Sequence, residues 1–556
     1  MKPSMRAFER FAKITLHRYE RYLPTAFDES LTLLEKMNKL IEYLNAMGVQ
    51  LGDVVDQWNE VMEWIINDGI NDVVLDRLDE MVQDGTLESL INETVLEGIN
   101  DKVDTISSRV DDVSDDVVDI LDRYETESVE LLVPSQFPSI ISAINYATSK
   151  HKTANVIFEV IVESGHEITS PTSLSNGDYS HIRLSSQDDV VPVSSAFNTS
   201  NNVFQFTNAT APTFNMLVDG RGHCNMGVAV MDNSRIRFTI GSGFVNAGSN
   251  NLYVRNASSA RATGGIFNGA GKSDMSSAGI TAWGGSSVSA NGAQANDCGG
   301  YGVRCAHGSI LEFDYGSADN ARYHGIRATK GGMVSCQNAT ARNCINHGIY
   351  ALDASLINAR ITDVSGSGSI GYFANNASTI HAASGIANGC NIGVAARNGS
   401  TLTFRGGTAN DCGEFGIQVS GTSNVQARNC EISGTDGTGV RVEEHGHINM
   451  QNSYVYGSRV DGIRVSAMST INAAVCTIRN SGRHGVYAEG TSRVSLSSST
   501  VWANGGQDIR VDIASQVMAR NCRTTTNVGT DNRTPHLDDV NLTSFNTFHS
   551  MGYITT

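Results

Sequence analysis

A unit of 23 residues recurs through the second half of the chain, and this repeat restricts the possible folds more than any other feature. Each copy contains an anchor glycine followed by an apolar residue or tyrosine, and the anchors are 23 residues apart except for one step of 22 between Gly371 and Gly393. The anchors are Gly279, Gly302, Gly325, Gly348, Gly371, Gly393, Gly416, Gly439, Gly462 and Gly485. A fixed period of this length is typical of stacked structural repeats.

Side chains at fixed distances from the anchor indicate the kind of repeat. The residues one and nine positions after it are almost all Ile, Val or Leu, and those three and eleven positions after it are mostly small. Inward positions two apart indicate strands, because strand side chains alternate between two faces. We therefore predict a mainly β protein, a right-handed parallel β-helix with 23-residue coils. Its regular part, residues 271–525, would form a rod on the order of 50 Å long.

The residues before the repeat have helical periodicity. Apolar residues at alternating steps of three and four predict a helical module over residues 1–92, either a small bundle or a docking module. A heptad pattern follows at Ile99, Val103, Ile106, Val110, Val113, Val117, Ile120 and Tyr124. Because β-branched residues fill both seam positions, we predict a trimeric coiled coil over 93–126. A single amphipathic helix on a neighbour is the alternative.

The segment 127–270 is predicted to start and cap the β-helix. Phe137–Lys150 has the apolar spacing of one amphipathic helix, and VIFEVIV (156–162) is typical of a buried strand. Early, less regular coils are expected to follow up to residue 270. Residues 526–556 are predicted to form a C-terminal cap.

Composition excludes several classes of protein. A formal charge of −18 argues against a nucleic-acid partner, which requires a basic face. No apolar run is long enough to span a bilayer, and the N-terminus lacks the apolar core of a secretory signal. Most cysteines in equivalent positions are two coils apart, about 10 Å, which is beyond disulfide reach; only Cys390 and Cys412 fall on adjacent coils. We predict that all ten cysteines are reduced.

A group of acids on neighbouring coils is the first candidate site. The predicted catalytic residues are Asp411, Glu414, Asp436 and Asp461. Carboxylates on adjacent coils would be roughly 5 to 10 Å apart, a range that includes both glycosidase geometries. Crowded acids also raise one another's pKa, as a general acid requires. The alternative is that these acids are solvated and cap turns.

A face of arginines and aromatic residues is the second candidate. The predicted substrate-binding residues are Arg441, Arg464, Tyr487, Tyr454, Tyr456 and Trp502, and Arg304, Arg327, Tyr350 and Phe373 extend the same pattern. Aromatic faces stack on sugars, and arginine binds phosphate or carboxylate. This pattern favours an anionic glycopolymer as ligand, although an ordinary surface or a trimer interface would show it too.

His324 and His347 occupy equivalent positions on adjacent coils. Two imidazoles can contribute to a metal site, but the same column offers no third ligand. We therefore predict a surface ladder of histidines, with no metal and no cofactor.

These features together resemble the tailspike and pre-neck appendage proteins of tailed bacteriophages, which have a pectate-lyase-like parallel β-helix. The resemblance is carried by Phe137–Lys150, VIFEVIVESGHEI (156–168), the coils of 279–524 and the segment 64–92. It implies a homotrimer held to phage tail or neck proteins by its N-terminal helices. It also implies a β-helix that binds, and often cleaves, a host surface glycopolymer. A C-terminal chaperone part, present in some members, is expected to be absent or already removed.

The resemblance thus implies a virion-attached trimeric spike that is folded in the host cytoplasm without membrane insertion. It would adsorb to teichoic acid or capsular polysaccharide and act as a depolymerase. A non-catalytic adhesin of the same architecture stays open. A β-helical lyase or epimerase unrelated to virions is a third possibility, against which the heptads and the helical module count.

Overall fold

The computed structural model describes residues 128–152, 156–271, 275–512 and 515–524, together with the strands Tyr124–Glu125, Val528–Thr530 and His536–Asp538. The chain divides into two compact units, of which the larger comprises Glu127–Ser149 and Asn155–Thr556. Of the smaller unit, the parallel strands Tyr124–Glu125 and His151–Lys152 are described. The predicted helical module, and the predicted coiled coil apart from Tyr124–Glu125, lie outside the described residues.

The larger unit is a right-handed parallel β-solenoid of about 16 turns, which confirms the predicted fold. Three sheets run along it, and each strand pairs in parallel with the equivalent strand one coil further on. Sheet 1 contains 16 strands, namely Thr172–Ser175, Phe204–Thr207, Val228–Met231, Leu252–Arg255, Ala278–Trp283, Tyr301–Ala306, Ile326–Thr329, Ile349–Leu352, Ile370–Asn375, Ile392–Ala396, Phe415–Val419, Thr438–Val442, Ile463–Val465, Val486–Ala488, Ile509–Val511 and Val528–Thr530.

Sheet 2 follows sheet 1 within each coil. Its strands are Val129–Val133, Phe158–Val162, Ile182–Ser186, Thr210–Asn215, Arg235–Phe238, Ser259–Arg261, Ser287–Ser289, Ile310–Glu312, Met333–Ser335, Leu356–Asn358, Thr379–His381, Thr401–Thr403, Asn424–Gln426, His447–Asn449, Thr470–Asn472, Arg493–Ser495, Gln516–Met518 and His536–Asp538.

Sheet 3 is the third and least regular face. Its strands are Val191–Pro192, Leu217–Asp219 and Gly243–Val245 at one end, and Glu431–Ser433, Tyr454–Tyr456, Thr477–Arg479, Thr500–Trp502 and Arg523–Thr524 at the other. Single parallel bridges connect the two groups from Gly243 to Glu431. The outer edge of each coil therefore has three corners, which lie between sheets 1 and 2, 2 and 3, and 3 and 1.

The core of the solenoid consists of the columns predicted to point inward. The residues one and nine positions after the anchor are buried in every regular coil, for example Ile349 and Ile357, each 0% exposed. The anchors are glycines because the chain has no room for a side chain there. A Cβ on Gly325 would lie 2.6 Å from the Cβ of Ala341 and 2.8 Å from the carbonyl oxygen of Gly348.

Helix α1 (Ile140–Ser149) packs on the first coils with Ile140, Ala143, Ile144 and Ala147 buried. It lies within the predicted segment Phe137–Lys150, and it begins after Ser139, whose hydroxyl accepts a hydrogen bond from the Ser142 amide. The predicted strand at 156–162 is observed as Phe158–Val162.

All ten cysteines are free and buried. Burial raises the pKa of Cys390 to about 11 and that of Cys412 to about 12. The prediction that they are reduced packing residues is confirmed. Among the described residues, no helix has the length and apolar character needed to cross a membrane.

One regular coil is a residue shorter than the others, and the difference falls in the corner between sheets 3 and 1. Ile386 still pairs with the residue 23 positions before it, whereas Ile392 pairs with Ile370, 22 positions before it. Cys390 accordingly lies three positions before the anchor of its coil, whereas Cys412 lies four positions before the next anchor. The sheets on both sides nevertheless keep their register.

Candidate functional site

The outward side chains of sheet 1 form a continuous strip along the solenoid. Because side chains alternate along a strand, the positions two and four after the anchor lie on the outer face. The residues just before the anchor pack beside them, as His347 does against Tyr350 and Phe373. In-register pairing then places equivalent residues beside one another on successive coils. We call this surface the arginine–aromatic strip, and it contains Trp283, Tyr301, Arg304, His324, Arg327, His347, Tyr350, Phe373, Arg397, Phe415, Gln418, Arg441, Glu443, Asp461, Arg464, His484, Tyr487, Glu489, Arg510 and Asp512.

In the C-terminal half of the strip, arginines form ion pairs with carboxylates. The pairs, measured from Nη2 to the carboxylate oxygen, are Arg441–Glu443 at 2.8 Å, Arg464–Glu489 at 2.6 Å and Arg510–Asp512 at 2.8 Å. In each pair the arginine Nε donates to the same carboxylate. The predicted binding residues Arg441 and Arg464 therefore already have anionic partners within the chain.

Asp461 is fully buried and paired with Arg483. Its two carboxylate oxygens accept hydrogen bonds from Nε of Arg483 at 2.9 Å and from Nη2 at 2.5 Å, and the His484 amide donates to it at 3.2 Å. The hydrogen bonds to Asp461 raise the pKa of Arg483. This geometry holds the loop before the next anchor and leaves Asp461 no open face for a substrate.

Arginine guanidinium groups cover the rings that were predicted to stack on sugars. Arg464, Arg483 and Arg510 lie over the Tyr487 ring at 5.3, 5.5 and 5.1 Å from its centroid. The Tyr487 hydroxyl donates to Asp512 at 3.0 Å, and burial together with its acidic neighbours raises the pKa of Tyr487. A sugar could stack on this ring only by displacing a guanidinium group.

Sheet 3 shows the same arrangement on a different face. Arg479 lies over the rings of Tyr456 and Trp502, at 5.2 and 5.5 Å from their centroids, and the Tyr456 hydroxyl donates to Glu431 at 2.6 Å. Tyr454 is 57% exposed. The six predicted binding residues thus divide between the outer faces of sheets 1 and 3.

In the N-terminal half of the strip, arginines stack with aromatic rings. Arg304 lies 4.8 Å from the Trp283 ring centroid, and Arg327 lies 5.4 Å from that of Tyr301. The Tyr350 and Phe373 rings are stacked at 4.8 Å with an interplanar angle of 5°, and Arg397 lies over Phe373. Planar groups thus follow one another along the axis of the solenoid.

His324 and His347 form a ladder, but they are buried, so the expected surface location was wrong. Their rings stack at 4.8 Å, Nδ1 of His324 accepts from the His347 amide at 3.3 Å, and Nδ1 of His347 accepts from the Ile370 amide at 3.2 Å. Burial is the main cause that lowers the pKa of His324 to about 2 and that of His347 to about 4. Within the described residues, no group of three potential ligands could hold a metal ion.

The remaining predicted acids lie at the corner between sheets 3 and 1. Asp411, Glu414 and Asp436 are all exposed. The carboxylate of Asp411 reaches the next coil, because a Cβ on Gly434 would collide with its Oδ1. The Thr438 amide donates to the Glu414 carbonyl at 3.1 Å, which places Glu414 beside the coil that carries Asp436. Three of the four predicted acids therefore lie at one exposed corner on adjacent coils.

Three residues that complete the strip were not among those singled out from sequence, namely Gln418, Glu489 and Asp512. A signal was available, because Arg441 and Arg510 each precede an acid by two positions, which places both side chains on one strand face.

Residues 278–427, 324–473 and 415–530 match the family model described as a right handed beta helix region. Sequence similarity thus identifies a β-helix region in the part of the chain where the structure has its most regular coils.

Two curated relatives define the similarity more narrowly. The preneck appendage protein of Bacillus phage PZA is 39% identical over 151 residues, which cover 27% of this chain and 17% of that protein. The pre-neck appendage protein of Bacillus phage phi29 is 45% identical over 118 residues, 21% of this chain and 14% of that protein. These matches confirm the predicted resemblance to phage pre-neck appendage proteins, and they span less than a fifth of each relative's length.

Among solved structures, the tailspike receptor binding domain of siphovirus 9NA aligns with 76% of this chain and 79% of its own, at 12% identity and a TM-score of 0.31.

Proposed function

We propose that this protein is a virion-attached appendage that adsorbs to a host surface glycopolymer and degrades it. The observation that carries the proposal is the similarity to pre-neck appendage proteins of Bacillus phages, joined to a long solenoid with an outward arginine–aromatic strip. In this proposal the polymer is an anionic one, a teichoic acid or a capsular polysaccharide. The chain acts as a homotrimer joined through residues 93–126, and residues 1–92 attach it to phage tail or neck proteins.

The solenoid suits a linear polymer because it offers similar groups at regular intervals. Equivalent side chains on successive coils are about 4.8 Å apart, so a chain molecule lying along the axis meets the same kind of contact many times. Weak contacts repeated along one ligand add up to strong binding.

The catalytic part of the proposal rests on the exposed corner with Asp411, Glu414 and Asp436. One carboxylic acid would protonate the glycosidic or phosphodiester oxygen that leaves, and a second carboxylate would activate water. Asp461 belongs to the ion pair with Arg483, and we assign it a positioning role at the same corner. The alternative function, a receptor-binding adhesin without catalysis, uses the same surfaces.

Incubation of the purified full chain with wall teichoic acids and capsular polysaccharides from a panel of bacteria tests the proposal. Polymer length is followed by gel electrophoresis, and released ends are identified by mass spectrometry. We expect shortening of one polymer, abolished by E414Q/D436N and retained by E312Q, which alters an exposed acid on sheet 2. Saturable binding without shortening would support the adhesin instead, and neither binding nor shortening of any polymer would refute the proposal.

A further inference from the structure

We infer that Arg304, Arg327 and Arg397 form an anion-binding site in the N-terminal half of the arginine–aromatic strip, for phosphate or carboxylate groups of a linear polyanion. The inference deepens the proposed function and rests on it for the identity of the natural polymer. Sequence analysis included Arg304 and Arg327 in the wider arginine and aromatic pattern, but the residues that it selected for binding on this face, Arg441, Arg464 and Tyr487, lie in the other half of the strip.

The arginines in the two halves of the strip differ in their partners. In the C-terminal half, Arg441, Arg464 and Arg510 each donate to a carboxylate through both Nε and Nη2. Among the described residues, Arg304, Arg327 and Arg397 form no ion pair with a carboxylate. The arginines of the C-terminal half therefore have a carboxylate partner within the chain, and the three arginines of the N-terminal half do not.

The three guanidinium groups lack part of their hydrogen-bond partners. The Nε atoms of Arg304, Arg327 and Arg397 are buried and have no hydrogen-bond partner. Nη1 of Arg327 donates to the Tyr301 hydroxyl at 2.5 Å, and Nη2 of Arg397 donates to Oε1 of Gln418 at 2.5 Å. Buried charged donors without an anionic partner are costly, and an incoming anion would remove part of that cost.

The local charge around Arg304 and Arg327 is positive. Arg304 and Arg327 are register partners on adjacent coils, so two like charges lie side by side. Burial lowers the pKa of Arg304, and the charge of Arg327 lowers it further. Burial also lowers the pKa of nearby His307, and the charges of Lys330 and Arg304 add to that effect. The chain as a whole has a formal charge of −18, so this positive region is exceptional. A bound anion would neutralise it.

Aromatic rings hold the three guanidinium groups in place before any ligand binds. Arg304 lies over the rings of Trp283 and Tyr301, Arg327 lies between those of Tyr301 and Tyr350, and Arg397 lies over Phe373. Contact with the rings holds each guanidinium group in place, and its fork of donors matches phosphate and carboxylate. The stacking reduces the conformational entropy that the side chains would lose on binding.

The spacing favours a polymer over a single ion. Arg304 and Arg327 are one coil apart, about 4.8 Å, and Arg397 lies three coils beyond Arg327, roughly 15 Å. Two stacked aromatic residues, Tyr350 and Phe373, occupy the interval. The site therefore fits a chain that carries one anionic group near the arginine pair and another near Arg397, with less polar atoms between them.

The test uses the full chain and three oligomers of similar length, with binding measured by isothermal titration calorimetry. A synthetic glycerol phosphate oligomer probes phosphodiester recognition, an oligogalacturonate probes carboxylate recognition, and a dextran oligomer is the neutral control. The site variant is R304Q/R327Q. The matched control is R405Q/R428Q, which removes two exposed arginines on adjacent coils at the corner between sheets 2 and 3.

We expect one of the anionic oligomers to bind and dextran to fail. R304Q/R327Q should weaken that binding at least about tenfold per arginine, since hydrogen bonds between charged groups contribute on the order of 1.5–3 kcal/mol. R397Q should produce a smaller loss, and R405Q/R428Q should bind like the native chain. Thermal unfolding of each variant checks that the solenoid is intact.

The inference is overturned if neither anionic oligomer binds, if R304Q/R327Q binds as tightly as the native chain, or if R405Q/R428Q weakens binding equally. These failures are separable from failure of the proposed function, because adsorption to whole host cells and shortening of their polymers are measured independently. If the chain adsorbs to cells but binds neither anionic oligomer, the proposed function stands and the anion-binding site is refuted.

Discussion

Replacing Asp461 by asparagine separates a structural role from a catalytic one. The carboxylate is 0% exposed and accepts two hydrogen bonds from Arg483, at 2.9 and 2.5 Å. The D461N variant keeps the volume and removes the charge, and it turns an amide group toward an arginine that also donates. Hydrogen bonds to charged groups contribute about 1.5–3 kcal/mol. Because the Arg483 side chain is 45% exposed and can regain water, we expect the free energy of unfolding to fall by about 2–3 kcal/mol.

The assay is unfolding in guanidinium chloride, followed by far-ultraviolet circular dichroism. D436N is the matched control, because Asp436 is exposed at the same corner one coil earlier, and we expect a change within about 0.5 kcal/mol. In a double-mutant cycle, R483Q should cost less in the D461N background than in the native chain. If D461N unfolds like the native chain but no longer shortens or binds polymer, the structural reasoning is wrong and Asp461 is functional.

Two further predictions concern the stack of coils. The histidine ladder has folded-state pKa values of about 2 and about 4, below the ordinary value of 6.5, so the unfolded chain binds more protons between pH 6.5 and 4. Stability should therefore fall as the pH decreases through that window. The variant H324N/H347N keeps the hydrogen-bond acceptors and removes the titrating groups, so it should flatten the profile of unfolding midpoint against pH. An unchanged slope in this variant would contradict the prediction. G325A should lower the free energy of unfolding by about 1–3 kcal/mol, because its Cβ would meet Ala341 and the Gly348 carbonyl. I345A, at an exposed corner of the next coil, is the control, and equal effects of the two would refute the packing argument.

The columns of the solenoid were predictable because each position is repeated. A single apolar residue says little, but Ile or Val at one distance from every anchor predicts an inward column, and Ile349 and its equivalents are buried. The burial of His324, which is 1% exposed, could also have been predicted from its column, although that column lies on the outer face of sheet 1. The column just before the anchor also holds Tyr301, Ile370, Ile392 and Phe415, and its apolar character indicates burial.

The pairing of side chains on the outer face was harder to predict from the sequence. Whether Arg464 points to a ligand or to Glu489 depends on rotamers and on a contact between residues 25 positions apart. The repeat places the two residues on adjacent coils, but it does not determine how their side chains turn. For the same reason, the sequence located the acidic corner yet could not separate buried Asp461 from exposed Asp436.

The coil that is one residue short shows where the chain length of a β-solenoid can vary. Its missing residue falls between sheets 3 and 1, and the strands on either side pair as they do elsewhere. Chain length at this corner is therefore decoupled from the stacking of the sheets. The same corner carries Asp411, Glu414 and Asp436, so segments could be added or removed there without refolding the rod. The candidate site at this corner can therefore change in length separately from the stacked sheets that support it.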